Sequence, residues 1–277
     1  MDVHFRCTLC ARCCRDVRLP LTVLEARRWL ADGNPVQVLC EAIPWPVEPP
    51  PDNPVAAHRR RASFAARSGA LAVRIGVILT ADLKGACPNL LPDLRCGIHD
   101  RRPLVCAIYP AEVNPFVEWN AAGKACPPEA WDATAPLLMR DGALVDARTR
   151  GLVAYARAAN VGDVEVKRRL CHALDVHDAG LAPEGFVVHS PPRAALAAAL
   201  EGAGPGAEPA RAGQPARREP EWRFISDRRA ALSALEAVGA QCAPAGTAGA
   251  SFDYLRATAG VGDAGAAAEK QHVRPDF

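Results

Sequence analysis

Four of the eleven cysteines lie within eight residues, Cys7-Thr-Leu-Cys-Ala-Arg-Cys-Cys14, and this density restricts the chain more than any other feature. Cys7, Cys10 and Cys13 recur at every third residue, and Cys14 follows with no spacer. Two-residue spacers let a tight turn aim several sulfurs at one point, which a tetrahedral zinc ion or a corner of an iron–sulfur cube requires. Adjacent cysteines diverge on a regular backbone. Cys13 and Cys14 are therefore expected to serve different metals, or one a metal and the other something else.

Further sulfurs come later, in Cys87-Pro-Asn-Leu, Arg95-Cys-Gly-Ile-His99, Arg102-Pro-Leu-Val-Cys106 and Lys124-Ala-Cys-Pro-Pro128. Cys87 and Cys126 are each followed by proline, as is the last cysteine of the bacterial ferredoxin run. The candidate metal ligands are thus Cys7, Cys10, Cys13, Cys14, Cys87, Cys96, Cys106 and Cys126. Eight thiols suffice for two four-sulfur sites, or for one site with a redox pair or an open position beside it. His99 is a weaker ligand candidate and reads better as a supporting or surface residue. Arg102 and Tyr109 are candidate cofactor-binding residues. Arg102 can donate to cluster sulfides or to backbone carbonyls, and a buried Tyr109 phenol needs a hydrogen-bond partner.

Over residues 5 to 128 this pattern resembles the YkgJ-type cysteine-cluster family of zinc- or iron-chelating domains. The family opens on Cys-x-x-Cys-x-x-Cys-Cys, continues with Cys-Pro-x-Leu, and ends on Cys-x-Ile-Tyr-x-x-Arg-Pro-x-x-Cys-x-x-Tyr-Pro. The last element reads Cys96-Gly-Ile-His-Asp-Arg-Arg-Pro-Leu-Val-Cys-Ala-Ile-Tyr-Pro110 here. His99 stands where the family usually has an aromatic residue, and Ala107 and Ala111 where arginine and phenylalanine are common. The resemblance implies metal binding. It leaves open whether the chain is an iron–sulfur oxidoreductase or a protein N-methyltransferase-like enzyme, since flagellin lysine N-methylases carry a related cysteine pattern.

Composition fits a cytoplasmic metalloprotein. A chain of 277 residues with 49% hydrophobic side chains can bury a real core, as one large domain or two small ones. A net charge of +2 calls for neither a nucleic-acid nor a membrane partner. No apolar run reaches 18 residues, and Met1-Asp-Val-His-Phe-Arg-Cys7 has no hydrophobic signal region. In the cytosol thiols are held reduced, so a dense cysteine pattern points to metal rather than to disulfides.

Local signals then place the elements. Thr22 and Glu25 have capping-box spacing ahead of a helix that Gly33 ends, with Val23, Ala26 and Leu30 on its buried face and Trp29 packing. Six prolines between Ile43 and Pro54 exclude a regular helix or central strand there. Cys40 and Cys171 read as small core residues, and Cys242 as lying in a tail. His58-Arg-Arg-Arg61 with Arg67 reads as a solvated basic helix face. Leu71 to Leu79 is the clearest strand and is expected to form a hairpin with Leu94 to Ile98. Asp100 to Pro110 is expected to be a short helix. Helices are also predicted over Trp131 to Asn160, over Val164 to Leu174 capped by Asp163, from Ser190-Pro-Pro to Gly202, and from Asp227 through Ala237; Gly185 to His189 reads as a strand. His172, His177 and His189 lack ligand spacing.

No Gly-rich phosphate loop, Gly-x-Ser-x-Gly or His-Glu-x-x-His occurs. The expected fold is α+β and helix-rich: an irregular cysteine-cluster domain with a short β-hairpin over 1–128, a helical region over 129–202, a Gly/Pro/Ala linker over 203–220, and a short helix with a flexible tail over 221–277. The expected function is metal binding through an iron–sulfur cluster, 4Fe-4S by preference, with a redox or protein-modifying role and a protein substrate or redox partner. The alternatives are a structural zinc-binding interaction module and a cluster-dependent protein lysine N-methylase.

Overall fold

The structure, a computed structural model, describes residues 2–204, 220–246, 251–257 and 272–273. Most of the predicted 203–220 linker and much of the predicted tail lie outside these residues. Among the described residues helix and strand are about equally represented, with seven α-helices and thirteen strands, so the chain is a mixed α/β protein rather than a helix-rich one. The described residues divide into two compact units, one comprising 2–21, 81–159 and 272–273, the other 22–80, 160–204, 220–246 and 251–257.

The first unit opens with β1 (Asp2–His4) and β2 (Arg15–Leu21), and takes in the end of β5 (Leu71–Ala86), which follows β3 (Gln37–Pro44) and β4 (Ser63–Ser68) in the chain. β1 pairs antiparallel with β6 (Leu137–Arg140), and β6 with β7 (Ala143–Leu144). Asp141 and Gly142 connect β6 to β7 with φ of 48° and 78°. Positive φ at both positions is the two-residue turn that matches strand twist, and Asp-Gly is its usual sequence. This hairpin replaces the first half of the helix expected over Trp131 to Asn160; the helix itself occupies Ala147–Gly162. The Asp-Gly dipeptide was the local signal for it. Parallel to β2 runs β13 (His272–Val273).

One short helix carries a cysteine here. It spans Leu104–Ile108, shorter than the Asp100 to Pro110 helix expected, because His99–Arg101 forms a separate 3-10 turn and Pro103 sets the helix start. Ile108 packs with Ala111, Val113, Val153 and Ala156 of the 147–162 helix in a small buried cluster, with Leu104 and Leu152 at its margin. Nε of Arg157 donates to the Val113 carbonyl at 2.6 Å.

In the second unit α1 (Val23–Ala31) carries the capping box in full: Glu25 N–H donates to Thr22 Oγ1, and Thr22 N–H donates back to Glu25 Oε2 at 2.9 Å. Gly33, at φ 87°, follows its end. β3 pairs antiparallel with β5 from Gln37↔Thr80 to Pro44↔Val73, and β5 turns back on β4 through Gly69, at φ 56°. The strand from Leu71 therefore pairs with residues 37–44 and 63–68, not with Leu94 to Ile98. Val38, Leu39, Cys40 and Ala42 are all buried, which is how a strand covered on both faces reads: an apolar run without alternation. That run ends at Pro44, where the proline-rich segment starts.

The region after residue 160 is as rich in strands as in helices, which overturns the helical C-terminal region expected. β8 (Asp178–Leu181), β10 (Arg223–Ser226) and β11 (Cys242–Pro244) run parallel in the order β11-β10-β8-β3, while β9 (Gly185–His189) lies antiparallel to β3 and to β12 (Phe252–Arg256). These strands hold three to five residues, too few to establish a period of two along the sequence. At Gly180 an added Cβ would come 2.2 Å from the Gly185 carbonyl oxygen, so two glycines let β8 and β9 approach.

The remaining helices are Pro54–Arg61, which carries the predicted basic run His58-Arg-Arg-Arg61, and Val164–Ala173, Arg193–Gly202 and Arg229–Ala237. Two predicted caps are absent. Asp163 Oδ2 accepts the Val23 N–H at 2.8 Å, and Asp227 pairs with Arg256. Leu170, Leu196, Leu200, Phe224 and Ile225 are fully buried. Cys40 and Cys171, both buried, meet within the core through their thiols. No described helix is long and apolar enough to cross a membrane.

Candidate metal centre

All eight predicted ligands belong to the first unit, whereas Cys40, Cys171 and Cys242 belong to the second. The loop of residues 5–14 is irregular. Leu9 and Ala11, on either side of Cys10, take φ of 55° and 57°. Left-handed backbone at non-glycine residues costs on the order of 1–3 kcal/mol each and concentrates at functional sites. Left-handed residues within such loops also turn successive N–H groups toward one side, a concavity common around phosphates and iron–sulfur clusters. The loop is anchored at its start, where Phe5 N–H donates to the Pro136 carbonyl at 3.0 Å and Arg6 N–H to that of Ala130 at 2.9 Å. Phe5 and Trp119 pack on Trp131, with ring centroids 5.2 and 5.7 Å away. These contacts hold Cys7 close to the segment that follows Cys126.

Tyr109 organises that segment. Its hydroxyl oxygen accepts the Ala125 N–H at 2.7 Å and lies 3.7 Å from the Cys126 sulfur. Burial pushes the Cys126 thiol up, opposed by the Tyr109 hydrogen bond, and the charges of Cys13, Cys10 and Cys7 add to the rise. Those three thiols are the ones whose charges reach Cys126. Cys7 is exposed and the other three are half-buried.

A second group forms around Cys14. The Cys87 N–H donates to the Cys14 carbonyl at 2.8 Å, while Gly85 N–H donates to Asp16 Oδ1 at 2.8 Å. Cys87 begins a turn closed by Leu90 N–H to its carbonyl at 3.0 Å, and Leu90 then bridges antiparallel to Cys96. Gly97 N–H donates to the Asn89 carbonyl at 2.8 Å; a Cβ at Gly97 would be 3.3 Å from that oxygen. The 104–108 helix, with Cys106 at its middle, packs on β2, which starts right after Cys14.

Burial pushes the Cys106 thiol up to about 12, reinforced by Cys13, Cys87 and Cys96 and opposed by the Arg102 charge. Cys87 is raised by burial. The nearby Asn89 backbone N–H and side-chain amide oppose this, and its buried Nδ2 makes no hydrogen bond within the protein. Cys14 is lowered by a hydrogen bond from Cys13, against burial and the charges of Cys106, Cys87 and Cys96.

The divergence expected of Cys13 and Cys14 does not occur. Their sulfurs are 3.9 Å apart on a 3-10 turn, Arg12–Cys14, so Cys13 stands between the two groups. His99 is exposed beside Asp100, and Arg102 faces Cys106 electrostatically. Asn89, Asp16 and the left-handed pair Leu9 and Ala11 escaped the sequence reading. Asn89 alone had a signal, in Cys-Pro-Asn, a turn-forming triplet.

Soft thiolates select zinc or iron–sulfur clusters over hard-ligand metals, and this donor set is all sulfur. The sulfurs are gathered but not closed: among the described residues, no three His, Cys, Asp or Glu side chains already stand in the geometry that holds one ion. The buried Asn89 amide beside Cys87 is a donor suited to a metal-bound thiolate. The residues thus fit such a group in chemistry and need side-chain closure to hold it.

No curated protein and no solved structure matches this chain. Residues 6–127 match the family model CxxCxxCC, described as a "putative zinc- or iron-chelating domain". All eight gathered thiols fall inside that span, which is where this chain is similar to the CxxCxxCC family.

Proposed function

We propose that the domain holds an iron–sulfur cluster through Cys7, Cys10, Cys13 and Cys126 and serves a redox or protein-modifying reaction. The observation that carries this reading is the company Cys126 keeps. In two-cluster ferredoxins one cluster takes three cysteines of a Cys-x-x-Cys-x-x-Cys run and one remote cysteine that precedes a proline. Here the run is Cys7, Cys10 and Cys13, and the remote cysteine beside it is Cys126, followed by Pro127. The left-handed backbone at Leu9 and Ala11 supports the same reading, because a thiolate-ligated cluster is anionic and accepts N–H donors.

The cluster, when bound, supplies one-electron chemistry. The chain's own residues set its surroundings. Tyr109 fixes the Cys126 loop by accepting the Ala125 N–H, and its hydroxyl oxygen lies 3.7 Å from that sulfur. Cys7, exposed, leaves one edge of the set open to a protein partner or substrate. The test is elemental and spectroscopic analysis of protein purified without oxygen. A brown protein with iron, acid-labile sulfide and broad visible charge-transfer absorption is expected. A colourless protein holding only zinc in stoichiometric amount would replace this reading with that of a zinc scaffold.

A further inference from the structure

The eight thiols divide into equal sets in one way that respects the contacts. The Phe5 and Arg6 amides, on the carbonyls of Pro136 and Ala130, hold the loop of Cys7 and Cys10 against the segment that follows Cys126, so these three belong together. Cys14, Cys87, Cys96 and Cys106 are joined by backbone: the Cys87 amide on the Cys14 carbonyl, the Cys87–Leu90 turn, the Leu90–Cys96 bridge, and the Cys106 helix packed on β2. That second set already numbers four without Cys13, whereas the first reaches four only with it.

We infer that Cys14, Cys87, Cys96 and Cys106 form a second, separate site that takes a single tetrahedral thiophilic ion of the zinc type. The backbone around these four is built in before the sulfurs close on an ion. Its ligands come from a loop end, a turn, a bridge and a helix, all hydrogen-bonded into the unit, and none of the four is exposed. Closed four-thiolate sites suit zinc, which has no redox chemistry and accepts any tetrahedral set with bonds near 2.3 Å. The buried Asn89 Nδ2, two residues from Cys87 and without a hydrogen-bond partner, is the kind of outer donor that such a ligand sulfur attracts. The sharing of Cys13 between neighbourhoods gives the two centres contiguous ligands, Cys13 and Cys14, in the chain.

This inference rests on the reading of the domain as a thiolate metal binder, and one experiment separates the two. Full-length wild type, Cys126→Ser and Cys96→Ser are purified without oxygen, and iron, sulfide and zinc are counted per folded chain, with circular dichroism and gel filtration as the check on folding. Wild type should carry about four irons with sulfide and about one zinc. Cys126→Ser should lose the iron and sulfide and keep the zinc; Cys96→Ser should lose the zinc and keep iron in the folded fraction. If Cys96→Ser does not fold, Asn89→Ala replaces it, with zinc loss to a chelator expected to quicken severalfold while the iron chromophore decays at the wild-type rate. Loss of all metal from folded Cys126→Ser, or zinc unaffected by both Cys96→Ser and Asn89→Ala, overturns the second site. Wild type with zinc alone, sensitive to Cys96→Ser and not to Cys126→Ser, overturns the iron–sulfur reading and leaves this one standing. Iron in place of zinc at a set that Cys96→Ser empties keeps the site and overturns its assigned metal.

Discussion

The backbone N–H of Cys87 donates to the carbonyl of Cys14 at 2.8 Å, which ties two candidate ligands 73 positions apart in sequence through main chain rather than through sulfur. Two residues on, Asp16 Oδ1 accepts the Gly85 N–H at 2.8 Å, so the junction is clamped on both sides before any metal enters. A pre-organised backbone of this kind reduces the ordering cost that the metal would otherwise have to offset.

Asp16 is the replaceable part of that clamp. It takes φ of 50°, a conformation that aspartate and asparagine tolerate better than alanine. Asp16→Ala is expected to lower stability by about 1–2 kcal/mol through the lost hydrogen bond and the left-handed backbone. Asp16→Asn should recover most of that. Urea denaturation of the metal-free chain measures both, and equal stability of the alanine and asparagine variants would remove Asp16 from the account.

The ligand list has its own controls. Cys10→Ser and Cys106→Ser should lower bound metal and soluble yield together, because each removes a thiolate from a gathered set. Cys171→Ser and Cys242→Ser should leave metal per folded chain unchanged, since both residues belong to the other unit. Cys171→Ser should still cost stability, about 1–3 kcal/mol, because a hydroxyl replaces a buried thiol. Metal analysis beside a thermal melt separates the two effects; metal loss from Cys242→Ser equal to that from Cys10→Ser would undo the ligand list.

What the sequence disclosed and what it hid follow one physical line. The Thr22–Glu25 capping box, the Gly33 stop and the cysteine inventory were legible, because each depends on residues within a few positions or on side-chain chemistry itself. Asp163 and Asp227 had the same local look as caps, yet their acceptors were taken by Val23 and Arg256, distant residues that no local window contains. Asp178-Ala-Gly-Leu181 and Arg223-Phe-Ile-Ser226 are strands because β3 and its neighbours pair with them, not because four residues carry a period. The grouping of Cys126 with the first loop was hidden for the same reason. It is made by Tyr109 and by the amide contacts of Phe5 and Arg6, none of which spacing records.

Lys167 yields a prediction about pH. Its ammonium is buried, donates to Asn160 Oδ1 at 3.0 Å, and is pushed down to about 8 by burial, with Asp163 and Cys171 opposing. Below pH 8 both folded and unfolded chains carry the charge, and the full burial penalty weighs on the fold. Between 8 and the ordinary lysine value of about 10.4 the unfolded chain binds more protons, so stability from this group rises with pH. Lys167→Met should therefore stabilise the protein at pH 7, by on the order of 2 kcal/mol after the lost Asn160 contact. That advantage should shrink by pH 10. Denaturant midpoints of the two proteins at pH 7 and pH 10 give the comparison, and an advantage for methionine that grows with pH would contradict the sign.

Tyr109 bears on the metal set most directly without being one of its sulfurs. Its oxygen accepts the Ala125 N–H at 2.7 Å and meets the Cys126 sulfur at 3.7 Å, and Tyr109 follows Ile108, a member of the small buried cluster, in the chain. Phenylalanine keeps the ring and deletes both polar contacts. Tyr109→Phe should lower global stability by only about 1 kcal/mol, the worth of one net hydrogen bond. The local effect should be larger in rate, because Cys126 would be held only by its own loop. Metal bound with Cys7, Cys10, Cys13 and Cys126 should pass to a chelator about fivefold faster, the equivalent of about 1 kcal/mol, whereas metal bound with Cys14, Cys87, Cys96 and Cys106 should leave at the wild-type rate. Chelator-transfer kinetics followed by absorbance for iron and by a zinc indicator resolve the two releases. Equal acceleration of both would mean that Tyr109 supports the whole unit, and no acceleration of either would mean that the Ala125 and Cys126 contacts do not hold the ligand loop.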